Sequence, residues 1–293
     1  MPTLSELLTQ HACLIADGAW GTELAKQGLG PGEAPDAWNL SHPHLVRGIA
    51  RSYVMAGAQI ILTNTFGGTT LKLQRAGLAD DAFLLNRAGA RLSREAADEG
   101  TLVFGSLGPT GEFMRPLGLI TEEEMQASFG AQVQALVEGG VDGFVIETMS
   151  DLGEALAALR AVREHSALPA VVSLTFAHGP GGYATIMGVK PERAARELTA
   201  AGADVVGANC GAGMDLIVGA IGEMAGHTSL PLWAKPNAGL PVLEDGCTVF
   251  CETPEQMAAQ APALRAAGAR IIGGCCGSTP AHVRALAAAL QGD

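Results

Sequence analysis

One pattern recurs eight times along this chain: a short apolar run, a glycine-containing or polar turn, and then a longer amphipathic segment. Apolar runs that alternate with helical segments predict parallel β-strands joined by crossover helices. Eight such units in one chain predict an α/β fold, a closed (β/α)₈ barrel. The runs predicted as strands are Ala12–Ala16, Gln59–Leu62, Leu102–Phe104, Gly143–Ile146, Ala170–Leu174, Val205–Ala208, Leu230–Ala234 and Arg270–Ile272.

An open, doubly wound sheet is the alternative architecture for the same pattern. Its first strand is commonly followed by a Gly-x-Gly-x-x-Gly turn, whereas here Asp17-Gly18-Ala19-Trp20-Gly21-Thr22 stands at that place. The length of 293 residues also suits one barrel, which averages about 250 residues. Because no linker or low-complexity stretch separates the units, we expect a single domain over residues 1–293.

Start and stop signals support the helices between these strands. Thr121-Glu122-Glu123-Glu124 has the form of a capping box and opens a segment that continues to about Gly139. Glycine stops end two other segments at Gly202 and Gly268. The predicted helices are Pro43–Gly57, 122–139, Pro191–Ala201, Pro254–Ala267 and Pro280–Leu290.

Unusual polar, glycine or cysteine residues follow the predicted strands. In a parallel barrel the carboxyl ends of the strands form one face, and active sites lie on that face. We therefore expect these segments to surround one site. They are Asp17-Gly18, Thr63–Phe66, Gly105–Gly111, Glu147-Thr148, Thr175-Phe176, Asn209-Cys210, Lys235–Gly239 and Gly274–Cys276.

Three of the six cysteines follow predicted strands: Cys210 after the sixth, and Cys275 and Cys276 after the eighth. A closed sheet brings them within reach of one another across a single strand. Three thiolates leave the fourth position of a tetrahedral Zn²⁺ open, which is typical of catalytic rather than structural zinc. We therefore predict a zinc site here. The alternative is that all three are small buried residues at strand ends, because free cysteine is often buried.

Two carboxylates emerge from apolar runs, Glu147 and Asp17. A carboxylate at the end of a buried strand needs a partner or a function, although each could also stabilise the positive end of a following helix. The loop Gly105 to Gly111, which contains Ser106, is able to wrap a small substrate with backbone N–H groups. Asn237 lies in a Pro-Asn-Ala-Gly turn, which asparagine favours for backbone reasons, but its oxygen could instead contact zinc or substrate.

The charge balance restricts the partners of the chain. Eighteen Lys and Arg against 30 Asp and Glu give a net charge of −12, which argues against nucleic acid or an anionic membrane as the main partner. The amino terminus lacks the basic and apolar regions of a signal peptide, and no apolar run approaches the roughly 20 residues of a membrane span. Six cysteines without a secretory signal predict reduced thiols and a cytoplasmic location.

Taken together, the strand-end motifs resemble those of the homocysteine S-methyltransferase family over nearly the whole chain. Among its members the chain is most similar to the N-terminal homocysteine-binding module of cobalamin-dependent methionine synthase, chiefly through Thr63–Gly67 and Pro236–Pro241. The motifs that carry the resemblance are Asp17-Gly18-Ala19, Thr63–Phe66, Leu107–Gly111, Glu147-Thr148, Asn209-Cys210, Pro236–Gly239 and Gly273–Gly277.

The resemblance implies a zinc-dependent barrel enzyme whose ligands are Cys210, Cys275 and Cys276. It implies that Glu147 and the Asp17-Gly18 turn hold the amino-acid part of homocysteine, and that Asn237 contacts zinc when no thiol is bound. Thr63 and Asn64 of the matching motifs, and Ser106 of the Gly105–Gly111 loop, are further candidate substrate contacts. Thr148 replaces the tyrosine that follows the acid in the betaine-dependent enzymes, which disfavours betaine.

The expected reaction is methyl transfer to the thiol of L-homocysteine, which yields methionine. The favoured methyl donor is a methyl-corrinoid protein partner. The alternative is a small onium donor: S-methylmethionine, S-adenosylmethionine, betaine or dimethylsulfoniopropionate. Methylation of another thiol on the same site is a further alternative. A protein of another class, a zinc- or thiol-binding barrel that acts as a non-catalytic partner module, would keep the cysteines but would not need Glu147 or Asp17.

Overall fold

The computed structural model describes residues 2–244 and 247–290 of the chain. Within them, eight parallel strands form one sheet in the order β1-β8-β7-β6-β5-β4-β3-β2. These strands are β1 (Leu14–Ile15), β2 (Ile60–Leu62), β3 (Leu102–Leu107), β4 (Gly143–Met149), β5 (Ala170–Leu174), β6 (Val205–Cys210), β7 (Leu232–Pro236) and β8 (Ala269–Ile272).

The sheet closes on itself between its first two strands. Ala16 forms a parallel bridge with Ile60, and the amide of Asp17 donates to the carbonyl of Ile60 at 3.0 Å. On the other side, Leu14 and Ile15 pair with the last strand of the barrel. The predicted (β/α)₈ barrel is confirmed, and the open doubly wound alternative is excluded.

A helix follows each strand and returns the chain to the opposite end of the barrel. These helices are Pro43–Met55, Ala82–Ala96, Glu122–Gly139, Leu152–His165, Pro191–Ala200, Met214–Ala225, Pro254–Ala266 and Pro280–Leu290. Shorter helices are Leu4–Gln10, Gly21–Lys26, Trp38–Ser41 and Thr70–Gln74, with 3₁₀ turns at Pro35–Ala37 and Ala79–Asp81. The predicted capping box is present, since Thr121 and Glu124 exchange side-chain and backbone hydrogen bonds.

An apolar layer fills the barrel interior. Side chains alternate between the two faces of a strand, and the inward ones include Phe104 and Trp233, both fully buried. The amino-terminal helix closes the lower end, where Leu4 and Leu7 pack against these interior residues. Arg270 holds that helix in place by donating to three backbone carbonyls at its carboxyl end, those of Leu8, His11 and Ala12.

Four strands continue further than the apolar runs predict. The third, fourth, sixth and seventh end at Leu107, Met149, Cys210 and Pro236. The ladder pairs continue through polar residues, for example Ser106 with Val145 and Asn209 with Lys235. Polar side chains that were predicted to follow the strands therefore lie in their last positions.

Two hairpins were not predicted, because they extend loops rather than repeat the barrel pattern. Ala177–Gly179 pairs with Gly182–Ala184, and Pro241–Glu244 pairs with Cys247–Phe250. Both lie in loops that follow strands, beside the face where active sites form. No helix in residues 2–244 and 247–290 is long and apolar enough to cross a membrane.

Candidate active site

A polar layer lies above the apolar interior of the barrel. Side chains alternate between the two faces of a strand, so the next inward-facing residue lies two positions after each interior residue. The interior residues are Phe104, Val145, Val171, Gly207 and Trp233, and the inward-facing residues that follow them form the polar layer. These are Ser106, Glu147, Ser173, Asn209 and Lys235, all buried. A cavity of about 570 Å³ lies at this end of the barrel. Residues from seven strand ends line it: Gly18, Leu62, Ser106, Glu147, Cys210, Lys235, Cys275 and Cys276.

The three predicted cysteines converge at the edge of this cavity. The Sγ atoms of Cys210, Cys275 and Cys276 all lie within 4.8 Å of one another, and those of Cys210 and Cys276 are 4.0 Å apart. Tetrahedral Zn²⁺ with Zn–S bonds of about 2.3 Å holds its sulfur atoms about 3.8 Å apart. The donor set and its spacing therefore fit one zinc ion with a fourth position left open.

Backbone conformation explains why glycines flank these cysteines. Cys210 has a φ of 65°, a left-handed conformation that is uncommon for a residue with a side chain. After the adjacent pair, Gly277 has a φ of 80°, and a Cβ added there would lie 2.3 Å from side-chain atoms of Phe250. Ser278 fixes the turn, because its hydroxyl donates to the carbonyl of Cys275 at 2.7 Å. The chain thus turns sharply at the end of the strand, and this turn lets the side chains of Cys275 and Cys276 converge.

The thiols influence one another's acidity. Hydrogen bonds from Cys275 and Cys276 lower the pKa of the Cys210 thiol. The same contacts with Cys210, together with burial, raise the pKa values of Cys275 and Cys276. One thiol of the cluster therefore loses its proton readily, whereas deprotonation of the other two is disfavoured. A bound cation would offset this effect, because metal binding displaces protons from thiols.

Glu147 lies on the cavity floor with 7% of its surface exposed. The hydroxyl of Ser106 donates to its Oε1 at 2.6 Å. Burial raises the pKa of Glu147 to about 7, while the nearby Lys235 ammonium opposes the rise. At neutral pH this carboxyl therefore changes charge easily when a charged ligand approaches.

Asp17 is completely buried, and protein groups occupy both of its oxygens. Oδ1 accepts from the Lys235 ammonium at 2.5 Å. Oδ2 accepts from the amide of Leu62 at 2.8 Å and from the indole of Trp20 at 3.0 Å. The carboxylate of Asp17 thus holds Lys235, Leu62 and Trp20 in place through hydrogen bonds, and the adjacent Gly18 lines the cavity.

Gly18 leaves no room for a side chain. A Cβ there would lie 2.8 Å from the ring of Tyr53 and 2.9 Å from the hydroxyl oxygen of Ser278. Glycine at this position therefore lets the backbone approach the cavity closely.

Three predicted site residues remain: Thr63, Asn64 and Asn237. Thr63 and Asn64 line the cavity. Thr63 Oγ1 accepts from the amide of Ser106 at 3.0 Å, and Asn64 donates to the carbonyl of Pro35 at 2.8 Å. Asn237 lies outside the cavity lining but beside the cysteines. Its amide lowers the pKa of Cys210, donates to a carbonyl at 2.7 Å, and leaves a buried Oδ1 without a hydrogen-bond partner.

Three residues of the polar layer, Ser173, Asn209 and Lys235, were not predicted to contact metal or substrate, although the segments that begin with Asn209 and Lys235 were expected to surround the site. Asn209 accepts hydrogen bonds from the amide of Thr148 and the hydroxyl of Ser173, and its own amide lies 3.7 Å from Cys275 Sγ. Lys235 is 2% exposed and lines the cavity. In each case the available signal was a polar residue two positions after an inward-facing residue of the barrel interior.

A closed (β/α)₈ barrel with a cavity, a buried carboxyl and converging thiols at the carboxyl ends of its strands has the architecture of a barrel enzyme. The model of the family described as Homocysteine S-methyltransferase matches residues 14–290. The chain belongs to that family.

Known relatives agree with this assignment. The chain is 31% identical over 303 residues to a methionine synthase of Mycobacterium tuberculosis and 30% identical over 305 residues to that of Mycobacterium leprae. Each match covers 98% of this chain and 25% of the relative, so the chain spans about a quarter of their length.

Solved structures of the homocysteine methyltransferase MmuM from Escherichia coli have the same fold. The metallated form gives a TM-score of 0.81 at 27% identity and covers 96% of this chain and 98% of MmuM. The oxidized form gives 0.82 at 28% identity and covers 98% and 99%.

Proposed function

We propose that this chain transfers a methyl group to the thiol of L-homocysteine and so forms methionine. The observation that carries the proposal is the placement of three converging thiols beside a cavity whose floor contains Glu147. One side of this arrangement suits a thiol-binding ion, and the other suits the charged end of an amino acid. The family assignment supports homocysteine as the acceptor.

Zn²⁺ is the ion that fits Cys210, Cys275 and Cys276 best, because their sulfur spacing matches its tetrahedral geometry. When bound, it would take the substrate sulfur at its open position and favour loss of the thiol proton, whose pKa is ordinarily near 8.5. Asn237 supports the fit, since its orphaned Oδ1 adjoins the cysteines. We assign this oxygen to the site when substrate is absent.

Glu147 binds the α-ammonium of homocysteine in this proposal. Burial disfavours the carboxylate, and an approaching ammonium favours it, so binding draws Glu147 into its charged form. Ser106 orients the carboxyl through its hydroxyl, and Thr63 in turn accepts from the amide of Ser106. Asp17 acts through its neighbours, because its oxygens are occupied, while Gly18 and Asn64 contribute to the cavity wall.

The methyl donor in this proposal is carried by a protein partner, a methyl-corrinoid protein. Several apolar side chains are exposed in the loops at the carboxyl ends of the strands, the end of the barrel that carries the cavity, and exposed apolar surface is typical of interaction sites. They belong to loops that follow strands, and they are Phe66, Phe113, Leu117, Leu119, Ile186, Leu240 and Leu243. A partner seated on this face would deliver its methyl group directly above the cysteines.

A small onium donor is the second candidate, because two aromatic side chains, Trp20 and Phe66, line the cavity. Their faces could hold a sulfonium or ammonium group by cation–π attraction. Trp38 does not line the cavity, because it is buried against His42 with ring centroids 4.3 Å apart.

A donor screen tests the proposal. Zinc-loaded protein is incubated with homocysteine and, separately, a methyl-corrinoid protein, free methylcobalamin, S-methylmethionine, S-adenosylmethionine, betaine or dimethylsulfoniopropionate, and methionine is measured by mass spectrometry. Methionine from the corrinoid protein is the expected result. Methionine only from an onium compound would replace the donor. Homocysteine binding without methionine from any donor would favour the non-catalytic module, and methylation of cysteine in preference to homocysteine would replace the acceptor.

A further inference from the structure

A buried ammonium group lies on the floor of the cavity. Lys235 is the next inward-facing residue of its strand after Trp233. Its side chain extends across β8, and its Nζ donates a hydrogen bond to Asp17 Oδ1 at 2.5 Å. Its side chain is 2% exposed, and the residue lines the cavity. An ammonium has three N–H donors, and Asp17 is its hydrogen-bond partner among the residues that the structure describes. Two donors therefore remain for a ligand or solvent.

Two neighbouring carboxylates stabilise the charged form of Lys235. Burial by itself would lower the pKa of Lys235, but the carboxylates of Asp17 and Glu147 outweigh burial and raise the pKa above its ordinary value. A buried charged group is costly unless it is paired. Asp17 supplies one partner, and its other oxygen is fixed by Leu62 and Trp20, so the ammonium has a defined position.

The proposed substrate has two opposite charges on one carbon atom. If Glu147 receives the α-ammonium, the α-carboxylate needs a donor beside Glu147. Of the cavity-lining cations, Arg75 has a side chain that is 53% exposed and already donates to the carbonyl of Gly111 and to Glu112. Lys72 lies in the outer helix Thr70–Gln74, whereas Lys235 shares the floor with Glu147 and interacts electrostatically with it.

We propose that the Nζ of Lys235 binds the α-carboxylate of the substrate, with Asp17 as its positioning residue. This inference rests on the proposed function, and it deepens that function by naming the group that selects α-amino acids. Lys235 and Glu147 together form a matched pair of charges for a zwitterion. Thiols with an amine but no carboxylate would lose the contact with Lys235.

Binding by zinc-loaded protein tests the inference with two thiols, homocysteine and 3-aminopropane-1-thiol, which lacks only the carboxylate. Wild-type protein is expected to favour homocysteine. Lys235→Met should weaken homocysteine binding by roughly tenfold to a hundredfold, the usual effect of a lost hydrogen bond between charged groups. The affinity for 3-aminopropane-1-thiol should stay within about twofold of wild type, because that ligand makes no such bond.

A second variant guards against misfolding, since Lys235→Met leaves the buried Asp17 unpaired. Asp17→Asn with Lys235→Met removes both charges and should show the same selective loss. Zinc content and circular dichroism establish that each variant is folded. Equal weakening of both thiols in the folded double variant would assign Lys235 a purely structural role, and unchanged homocysteine binding would place the carboxylate elsewhere. Failure of the wild-type protein to bind homocysteine would instead overturn the proposed function itself.

Discussion

Asn209 holds Thr148 through two hydrogen bonds that pass across β5. Its Oδ1 accepts from the Thr148 amide at 2.9 Å, and its Nδ2 donates to the Thr148 hydroxyl at 2.8 Å. Thr148, with a φ of 61°, follows Glu147, and Cys210, with a φ of 65°, follows Asn209. These are the non-glycine residues with positive φ in the described part of the chain. One amide side chain therefore connects the two strained positions beside the candidate site.

Asn209→Ala should disturb the cysteine site as well as the fold. It leaves the Thr148 amide and the Ser173 hydroxyl without their shared acceptor, and each unsatisfied buried group costs about 1–3 kcal/mol. We expect the free energy of unfolding to fall by about 2–5 kcal/mol and zinc affinity to fall roughly tenfold to a hundredfold. Urea denaturation and zinc competition measure both effects. Ser173→Ala is the matched control, since it removes one bond and leaves the Thr148 contact; an equal loss of zinc affinity there would contradict the role of Asn209.

Serine substitution of the three clustered cysteines should abolish tight zinc binding. Each of Cys210→Ser, Cys275→Ser and Cys276→Ser removes one thiolate from a set of three, and two thiolates hold zinc far more weakly. Elemental analysis of purified protein gives the zinc-to-protein ratio. Cys251, which is exposed and unpaired, supplies the control variant Cys251→Ser, whose ratio should equal that of the wild type. Full zinc content in the cluster variants would show that the ion binds elsewhere.

Glu147→Gln should weaken the binding of homocysteine and spare a ligand without an amine. The substitution keeps the shape of the side chain but removes the charge that is proposed to receive the α-ammonium. A fall of roughly tenfold to a hundredfold is expected for homocysteine, with little change for 4-mercaptobutanoate. Isothermal titration of zinc-loaded protein measures both. If the two ligands weaken alike, Glu147 shapes the cavity and does not recognise the amine.

Asp36 should make stability depend on pH. It is 3% exposed, its Oδ1 has no hydrogen-bond partner, and burial raises its pKa to about 7 from 3.8. Its contribution to stability is therefore fully present below pH 3.8 and is lost as the pH rises through 7. Between about pH 5 and pH 8, wild-type protein should lose about 2–3 kcal/mol more than Asp36→Asn.

Urea midpoints of both proteins in the same zinc-loaded state, at the two pH values, measure this difference. Because all other titrating groups are shared, their effects cancel in the comparison. Parallel pH profiles for wild type and Asp36→Asn would mean that Asp36 is charged without penalty in the folded protein.

The barrel and its cysteine cluster were predictable because each depends on a regular sequence pattern. Eight apolar runs located the strands, and the strand order then brought Cys210 beside Cys275 and Cys276, although 65 residues separate the first two along the chain. The ends of the strands were less predictable. Hydropathy marks only apolar residues, so the predicted strands stopped before Ser106, Glu147 and Lys235, which continue the ladder.

The hydrogen-bond partners of charged residues lay beyond sequence reasoning. Asp17 was predicted to hold the substrate, and the structure shows both of its oxygens bound to protein donors, one of which is 218 residues away. Nothing in the spacing of Asp17 and Lys235 indicates that they pair. The contact depends on barrel closure, and on which side chains point inward at the last position of each strand.

The helix Leu4–Gln10 blocks the lower end of the barrel, and this has a kinetic consequence. In the proposed reaction the acceptor, donor and product would all use the opening at the carboxyl ends of the strands, because apolar side chains fill the interior in the described part of the chain. If the donor is a protein that docks over this opening, as proposed, it would cover the bound acceptor, so the acceptor would enter first and the methylated product would leave after the donor. The proposed reaction would then follow an ordered mechanism, in which the acceptor binds before the donor and the methylated product leaves last.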